Sequence, residues 1–204
     1  MKQCAIVGAG PSGFFVAGEI FKRFPGAAVF MFEKREQPHG LVRYGVAPDH
    51  VVTKRAVKTF EQIAAQPGFH YMGGVEVGRD PGIEDLRARY DAVVICTGAE
   101  RAKFPDLPGI HLPGVASGLA FARWTNGEER FFDAGWLANV REVVIIGNGN
   151  VALDVARMLA RRDEDWEGTA IAPYARAALA GTQLSRITIV GRRGPAEASF
   201  TEME

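Results

Sequence analysis

The 204-residue sequence predicts an α/β fold in which one design is used twice. Three observations predict it. A short apolar run, Gln3 to Val7, ends in the turn Gly8-Ala9-Gly10-Pro11-Ser12-Gly13 and passes into a helical pattern. About 139 residues later a second run, Val143 to Ile146, ends in Gly147-Asn148-Gly149-Asn150-Val151-Ala152 and again passes into a helix. Each helix is followed by a returning apolar run, Ala28 to Phe32 in the first case and Ile187 to Val190 in the second. Strand–helix–strand units of this kind pair their strands in parallel through right-handed crossovers.

The remaining elements follow in order. Ala17, Ile20, Phe21 and Phe24 recur at helical spacing and mark one face of the first helix, which Pro25-Gly26 stops. Residues Gln37 to His50 are polar and rich in Pro and Gly, the composition of a loop. Val57, Phe60 and Ala64 predict a helix that ends near Pro67-Gly68. Short strands are expected around Phe69–Met72 and Val75–Val77, a short helix over Ile83 to Tyr90, and a buried strand over Asp91 to Cys96. Pro105, Pro108 and Pro113, interspersed with Gly109 and Gly114, put the boundary between a domain of residues 1–107 and one of residues 108–204. In the second domain Val151, Val155, Met158 and Leu159 share a helix face, and the polar stretch from Asp163 to Ser185 reads as an insertion.

Composition narrows the partners. Apolar residues make up 47% and charged residues 24% of the chain, ordinary for a globular protein. The 24 basic and 24 acidic residues cancel, so no global charge draws the chain to nucleic acid or to an anionic membrane. No apolar run is long enough to span a bilayer and no leader pattern opens the sequence, so a cytoplasmic location is the expectation. The two cysteines, Cys4 and Cys96, sit inside apolar runs, and no Cys-x-x-Cys or metal-ligand spacing occurs.

The glycines carry chemistry. Gly8 lets the chain turn out of the strand, Gly10 leaves the backbone open to a pyrophosphate, and Gly13 lets the helix pack against the strand. The helix that follows offers N–H groups and a partial positive charge to phosphates. Glu33 stands twenty residues after Gly13, at the end of the second strand. A carboxylate there accepts hydrogen bonds from ribose hydroxyls and repels a 2′-phosphate, which points to FAD or NAD. The second loop, with Gly147, Gly149 and Ala152, has no such acid. Its returning strand runs into Arg192-Arg193, and a guanidinium pair at the ribose end matches a 2′-phosphate in charge and in fork geometry, so this site is expected to take NADP(H). The alternative for the arginines is a solvated surface pair. His50 lies in the loop Gly45-Val46-Ala47-Pro48-Asp49-His50, where the residues alone leave it open between packing and catalysis.

Several segments together resemble the adrenodoxin reductase-like ferredoxin–NADP reductases. They are Val7 through Phe14, Glu33-Lys34, GLVRYGVAPDH from Gly40 to His50, Val75 to Gly78, GNGNVALDVAR from Gly147 to Arg157, and Gly191 to Pro195 leading to Phe200-Thr201. The resemblance implies two Rossmann-like dinucleotide-binding domains of the glutathione reductase type. It implies FAD contacts at Ser12, Glu33, Leu41 and Val77, and NADP contacts at Gly149, Asn150, Val151, Ala152, Arg192, Arg193 and Glu204. It implies a flavoprotein that takes a hydride from NADPH onto FAD and passes single electrons to a ferredoxin-type iron–sulfur protein, with the residue matching His50 close to flavin and nicotinamide. Without an internal dithiol, electrons are expected to leave from the flavin to an external carrier.

Family members are about twice as long, and Thr201-Glu202-Met203-Glu204 reads as a capping box opening a helix, so both domains are expected to be incomplete in this chain. Two alternatives stand beside the reductase: the NADPH-oxidising subunit of a glutamate synthase-like system, and a truncated, non-catalytic dinucleotide-binding fragment.

Overall fold

The computed structural model describes residues 2–192, 194 and 197–200. Two compact units divide the chain, one of Met1–Arg43 with Val52–Glu100 and one of Tyr44–Val51 with Arg101–Glu204.

In the first unit the chain runs β1 (Gln3–Val7), α1 (Pro11–Arg23), β2 (Ala28–Glu33), α2 (Gly40–Tyr44), α3 (Val51–Lys54), α4 (Ala56–Ala64), β3 (Phe69–Gly73), α5 (Ile83–Arg89) and β4 (Ala92–Ile95). The strands pair in parallel in the order β3-β2-β1-β4. Alternation along β1 sends Cys4 and Ile6 to one face, against Phe14 and Ala17 of α1 and Phe60 of α4, and Ala5 and Val7 to the other, with Phe32 and Leu86. Both faces are therefore covered, which is why β1 and β2 read as unbroken apolar runs. The order of the strands reverses between β1 and β4. In open parallel sheets ligands settle at the carboxyl ends of the strands at such a point.

Three expectations change here. Residues 40–44 of the supposed loop form α2, entered through His39 and Gly40 at φ +87° and +47°. Val75–Val77 is a turn and not a strand: Val75 N–H donates to the Glu33 carbonyl at 2.9 Å, and Gly78 at φ +118° then carries the chain away before a ladder forms. Phe24, expected on the buried face of α1, caps its C-terminus and is 52% exposed.

The second unit contains α6 (Gly118–Thr125), β5 (Glu142–Ile146), α7 (Asn150–Ala160), α8 (Pro173–Ala180) and β6 (Arg186–Val190). Strands β5 and β6 are parallel, registered from Glu142–Arg186 to Ile146–Val190. Its core gathers Phe121, Trp124, Phe132, Leu137, Met158, Leu159, Trp166, Ala175 and Leu179. The stretch 163–185 is thus not a solvated insertion. Trp166, Ala175 and Leu179 are buried there, while Asp163 and Arg176 pair at 2.7 and 2.8 Å on the outside. The charges gather at residues 163–167, and the core residues after them include the small Ala172 and Ala175, which mark a core weakly. Helix α6 was also unforeseen, although Ser117 caps it by accepting from Ala120 N–H at 3.1 Å. One face of the two-stranded sheet packs against α7; on the other, Val144, Ile146 and Val190 are exposed.

Candidate dinucleotide sites

Gly8 sits at φ +108°, and a Cβ built on it would lie 2.3 Å from the Cys96 carbonyl oxygen. A Cβ on Gly13 would lie 2.2 Å from the Gly8 oxygen, so the first turn of α1 presses directly on the loop. Gly10 differs: nothing stands within 4 Å of its would-be Cβ. The fold requires Gly8 and Gly13, whereas at Gly10 the open space is the kind a phosphate approaching the backbone needs. No side chain caps α1, whose first helical position is Pro11, leaving Ser12 and Gly13 in its opening turn.

Glu33 is buried at the end of β2, and its carboxylate accepts from Ala9 N–H at 2.9 Å and Arg35 N–H at 3.1 Å. Those bonds fix the acid against the glycine loop, and each oxygen retains a further lone pair for a ribose hydroxyl. A Cβ on Gly40 would come 2.9 Å from the Cα of Gly10, so α2 starts against the loop, with Leu41 45% exposed. The bond from Val75 to Glu33 brings the segment of Val77 beside the same acid. Gly8, Gly10, Ser12, Gly13 and Glu33 thus lie at the carboxyl ends of β1 and β2, Leu41 follows Gly40 against the loop, and Val77 packs with Val7 and Phe32.

In the second unit Gly147 lies at the end of β5 with φ +127°, and Gly149 caps α7 without a side-chain bond. Asn150 opens the helix, Val151 is 57% exposed, and Ala152 is buried. Gly191 comes within 2.8 Å of the Asn148 amide when a Cβ is built on it, which sets the exposed Arg192 next to this loop. Arg193 and Glu204 lie outside the described residues, as does the capping box at Thr201.

His50 belongs to this unit. Its Nε2 lies 3.0 Å from Asp154 Oδ1 and 2.6 Å from Arg157 Nη2. Arg157 in turn donates to Asp49 at 2.8 and 3.2 Å and to Asp154 at 2.5 Å, and Arg161 also pairs with Asp49. Burial alone would raise the Asp49 carboxyl, but the bond and charge of Arg157 and the charge of Arg161 outweigh it and hold it below its usual value. Hydrogen bonding to Asp49 likewise raises Arg157. Nε2 of a neutral imidazole donates to Asp154 in one tautomer and accepts from Arg157 in the other, so the two residues hold the ring and compete for this nitrogen. Asp154 and Arg157 stand three residues apart on α7 and Arg161 caps its end four residues later; that spacing was the signal in the sequence, and Asp49, the partner of both arginines, lies more than a hundred residues away.

The profile of the family described as pyridine nucleotide-disulphide oxidoreductase matches residues 2–194. This chain belongs to that family. Among its relatives, NADPH:adrenodoxin oxidoreductase of Bos taurus, a mitochondrial protein, is 43% identical over 202 residues, 99% of this chain and 41% of the relative. NADPH-ferredoxin reductase FprA of Mycobacterium leprae is 40% identical over 209 residues, 100% of this chain and 46% of the relative. The structure of Mycobacterium tuberculosis FprA in complex with NADPH superposes with a TM-score of 0.92 at 40% identity, covering 99% of this chain and 46% of that one. The chain thus spans less than half the length of these relatives. Within the pyridine nucleotide-disulphide oxidoreductases it resembles the adrenodoxin reductase-like ferredoxin–NADP reductases.

Although that family is named for disulphide chemistry, Cys4 and Cys96 are both free, and burial pushes both thiols up, away from the thiolate that exchange requires. Among the described residues no helix is long and apolar enough to cross a membrane.

One further cation shapes the first site of this family member. Lys54 donates to the carbonyls of Val42 and Arg43 at 3.2 and 3.1 Å and so caps α2. Burial, and then the charge of Arg43, pulls its ammonium from 10.5 to about 8. The folded state disfavours the charged form, so that cost is fully present below pH 8. Between about pH 8 and 10.5 the unfolded chain binds the extra proton, and stability rises with pH. The denaturation midpoint of the protein minus that of Lys54→Met is expected to increase over this window. A difference that stays flat or falls would contradict the assignment.

Proposed function

We propose that the chain is the dinucleotide-binding part of an NADPH-dependent flavoprotein that passes electrons to a ferredoxin-type iron–sulfur protein. The observation that carries the reading is the opposed charge at the two ribose ends: a buried carboxylate, Glu33, beside the first glycine loop and a guanidinium, Arg192, beside the second. The names of the relatives, an adrenodoxin oxidoreductase and a ferredoxin reductase, both NADPH-linked, support it. FAD, when bound, supplies the hydride-accepting and single-electron chemistry.

The chain's own residues bind and orient. Ser12 and Gly13 offer N–H groups to the FAD pyrophosphate and Glu33 holds its ribose, with Leu41 and Val77 at the edges. Gly149, Asn150, Val151 and Ala152 receive the NADP pyrophosphate, and Arg192 with Arg193 the 2′-phosphate, with Glu204 a further contact. His50, held by Asp154 and Arg157, is the residue that the resemblance sets close to flavin and nicotinamide. An unchanged hydride-transfer rate in His50→Ala would remove it from this role. Domain limits at residues 1–107 and 108–204 accompany the reading.

The test is anaerobic. The FAD-reconstituted chain is expected to bleach with NADPH at least tenfold faster than with NADH, and to reduce a [2Fe–2S] ferredoxin afterwards. Arg192→Ala is expected to erase most of that preference, since a charge-assisted phosphate contact is worth about 1.5–3 kcal/mol. Equal rates with both nucleotides would overturn the assignment of the second site. The exposed Val144, Ile146 and Val190 favour a second reading, a fragment that binds without turning over. Flavin that is retained but never bleached by NADPH would select it. The proposal includes a cytoplasmic compartment; the adrenodoxin oxidoreductases are mitochondrial by name, and cell fractionation decides between the two.

A further inference from the structure

The acid Glu33 is followed at once by two cations, Lys34 and Arg35. A basic pair beside a ribose subsite is what a 2′-phosphate seeks, so the local sequence holds two opposing instructions. The structure resolves them through a residue 65 positions away. Glu100 bonds Arg35 Nη1 through Oε1 at 2.8 Å and Lys34 Nζ through Oε2, using one oxygen for each cation. Lys34 and Arg35 leave the carboxyl end of β2, and Glu100 follows the carboxyl end of β4, with β1 between them. The two ion pairs therefore bridge the crevice at the strand end from which the glycine loop departs.

We propose that Glu100 is a specificity-determining residue of the first site: by occupying Lys34 and Arg35 it withholds them from a 2′-phosphate, so that the site takes a dinucleotide with a free ribose 2′-hydroxyl. The inference rests on the reading of the first loop as a dinucleotide site and adds a second discriminator to Glu33. Glu33 repels a 2′-phosphate directly. Glu100 acts by charge neutralisation and needs no contact with the ligand. Burial alone would raise the Glu100 carboxyl, but the bond from Lys34 and the charge of Arg35 outweigh it, so Glu100 stays ionised throughout the neutral range.

The test compares 5′-AMP with 2′,5′-ADP on the full chain and on Glu100→Gln, following the backbone amide resonances of Ala9, Gly10, Lys34 and Arg35. Those amides report the first site separately from the loop at Gly147. Glu100→Gln keeps the size of the side chain and removes its charge. The ratio of 2′,5′-ADP to 5′-AMP affinity is expected to rise about three- to fivefold, the scale of partly exposed ion pairs. The gain is expected to shrink at high salt, to fall when Lys34→Ala is added and to disappear when both Lys34→Ala and Arg35→Ala are added. An unchanged ratio, with 5′-AMP still bound at Ala9 and Gly10, overturns the role of Glu100 alone. Absence of any 5′-AMP shift at those amides in the unmodified chain overturns the dinucleotide reading itself, and the inference with it.

Discussion

Gly13→Ala is expected to cost the first unit at least about 3 kcal/mol, whereas Gly10→Ala leaves its fold intact and removes ligand affinity. The two substitutions add the same methyl group to the same loop. At position 13 that methyl would lie 2.2 Å from the Gly8 oxygen, a backbone atom with no rotamer to escape into. Gly8 cannot retreat, because its own would-be Cβ already lies 2.3 Å from the Cys96 oxygen at the end of the neighbouring strand. Relief requires α1 to lift off β1, which separates Phe14 from Phe60, rings now stacked at 4.9 Å. A domain is stabilised by only about 5–15 kcal/mol, so the loss is a large share of the total. At position 10 the φ of −86° suits alanine and the space is open. The methyl then projects where a pyrophosphate meets the backbone. Urea midpoints and FAD fluorescence quenching separate the two effects. Gly10→Ala is expected to melt with the unmodified chain and to bind FAD at least about tenfold more weakly, roughly 1.4 kcal/mol. Tight FAD binding by Gly10→Ala, or unaltered stability in Gly13→Ala, would break the division of labour between these glycines.

The parts of the fold set by local chemistry were legible in the sequence. Apolar runs marked β1, β2 and β5, the first two buried on both faces, and glycines at fixed offsets marked the turns that follow them. Glu33 was legible because its role depends on distance along the chain from Gly13. Elements stabilised by distant partners were not. Helix α2 is five residues long and carries no apolar period; it exists because Gly40 seats on Gly10 and Lys54 caps its end. Trp166 sits among the charges of residues 163–167 and Leu179 in a run of alanines, and neither marks a core position until Trp124, Met158 and Phe121 are brought beside them. The partners of His50 were hidden for the same reason. Asp154 and Arg157 read as ordinary helix charges until the chain folds Tyr44–Val51 into the unit of α7. Glu100, likewise, follows Thr97-Gly98-Ala99 with nothing nearby to mark it as the partner of Lys34.

Asp49→Asn is expected to destabilise the second unit by about 2 kcal/mol and to change the behaviour of His50 without touching it. The Asp49 side chain is 4% exposed and meets two guanidiniums, Arg157 and Arg161, that keep 30% and 24% of their surface. Breaking a fully buried pair costs about 3–5 kcal/mol, and the arginines' partial access to water reduces that figure. The amide keeps one acceptor oxygen but loses the charge, and its N–H2 group faces cationic donors it cannot satisfy. Released from Asp49, Arg157 keeps Asp154 as a carboxylate partner and competes more strongly with His50 for it. The sign of the pH dependence follows from the depressed Asp49 carboxyl. Its contribution is fully present above the unfolded value near 3.8 and is lost as pH falls through the lower folded value. The stability gap between the unmodified chain and Asp49→Asn is therefore expected to be constant from pH 7 down to about 4 and to close below it. Denaturant midpoints across that range measure the gap, and the His50 ring resonances at neutral pH report its hydrogen bonding in the same samples. A gap that persists undiminished in acid would mean that Asp49 acts by shape and not by charge. Unchanged His50 ring shifts at neutral pH in both proteins would mean that the arginine frame does not govern the imidazole.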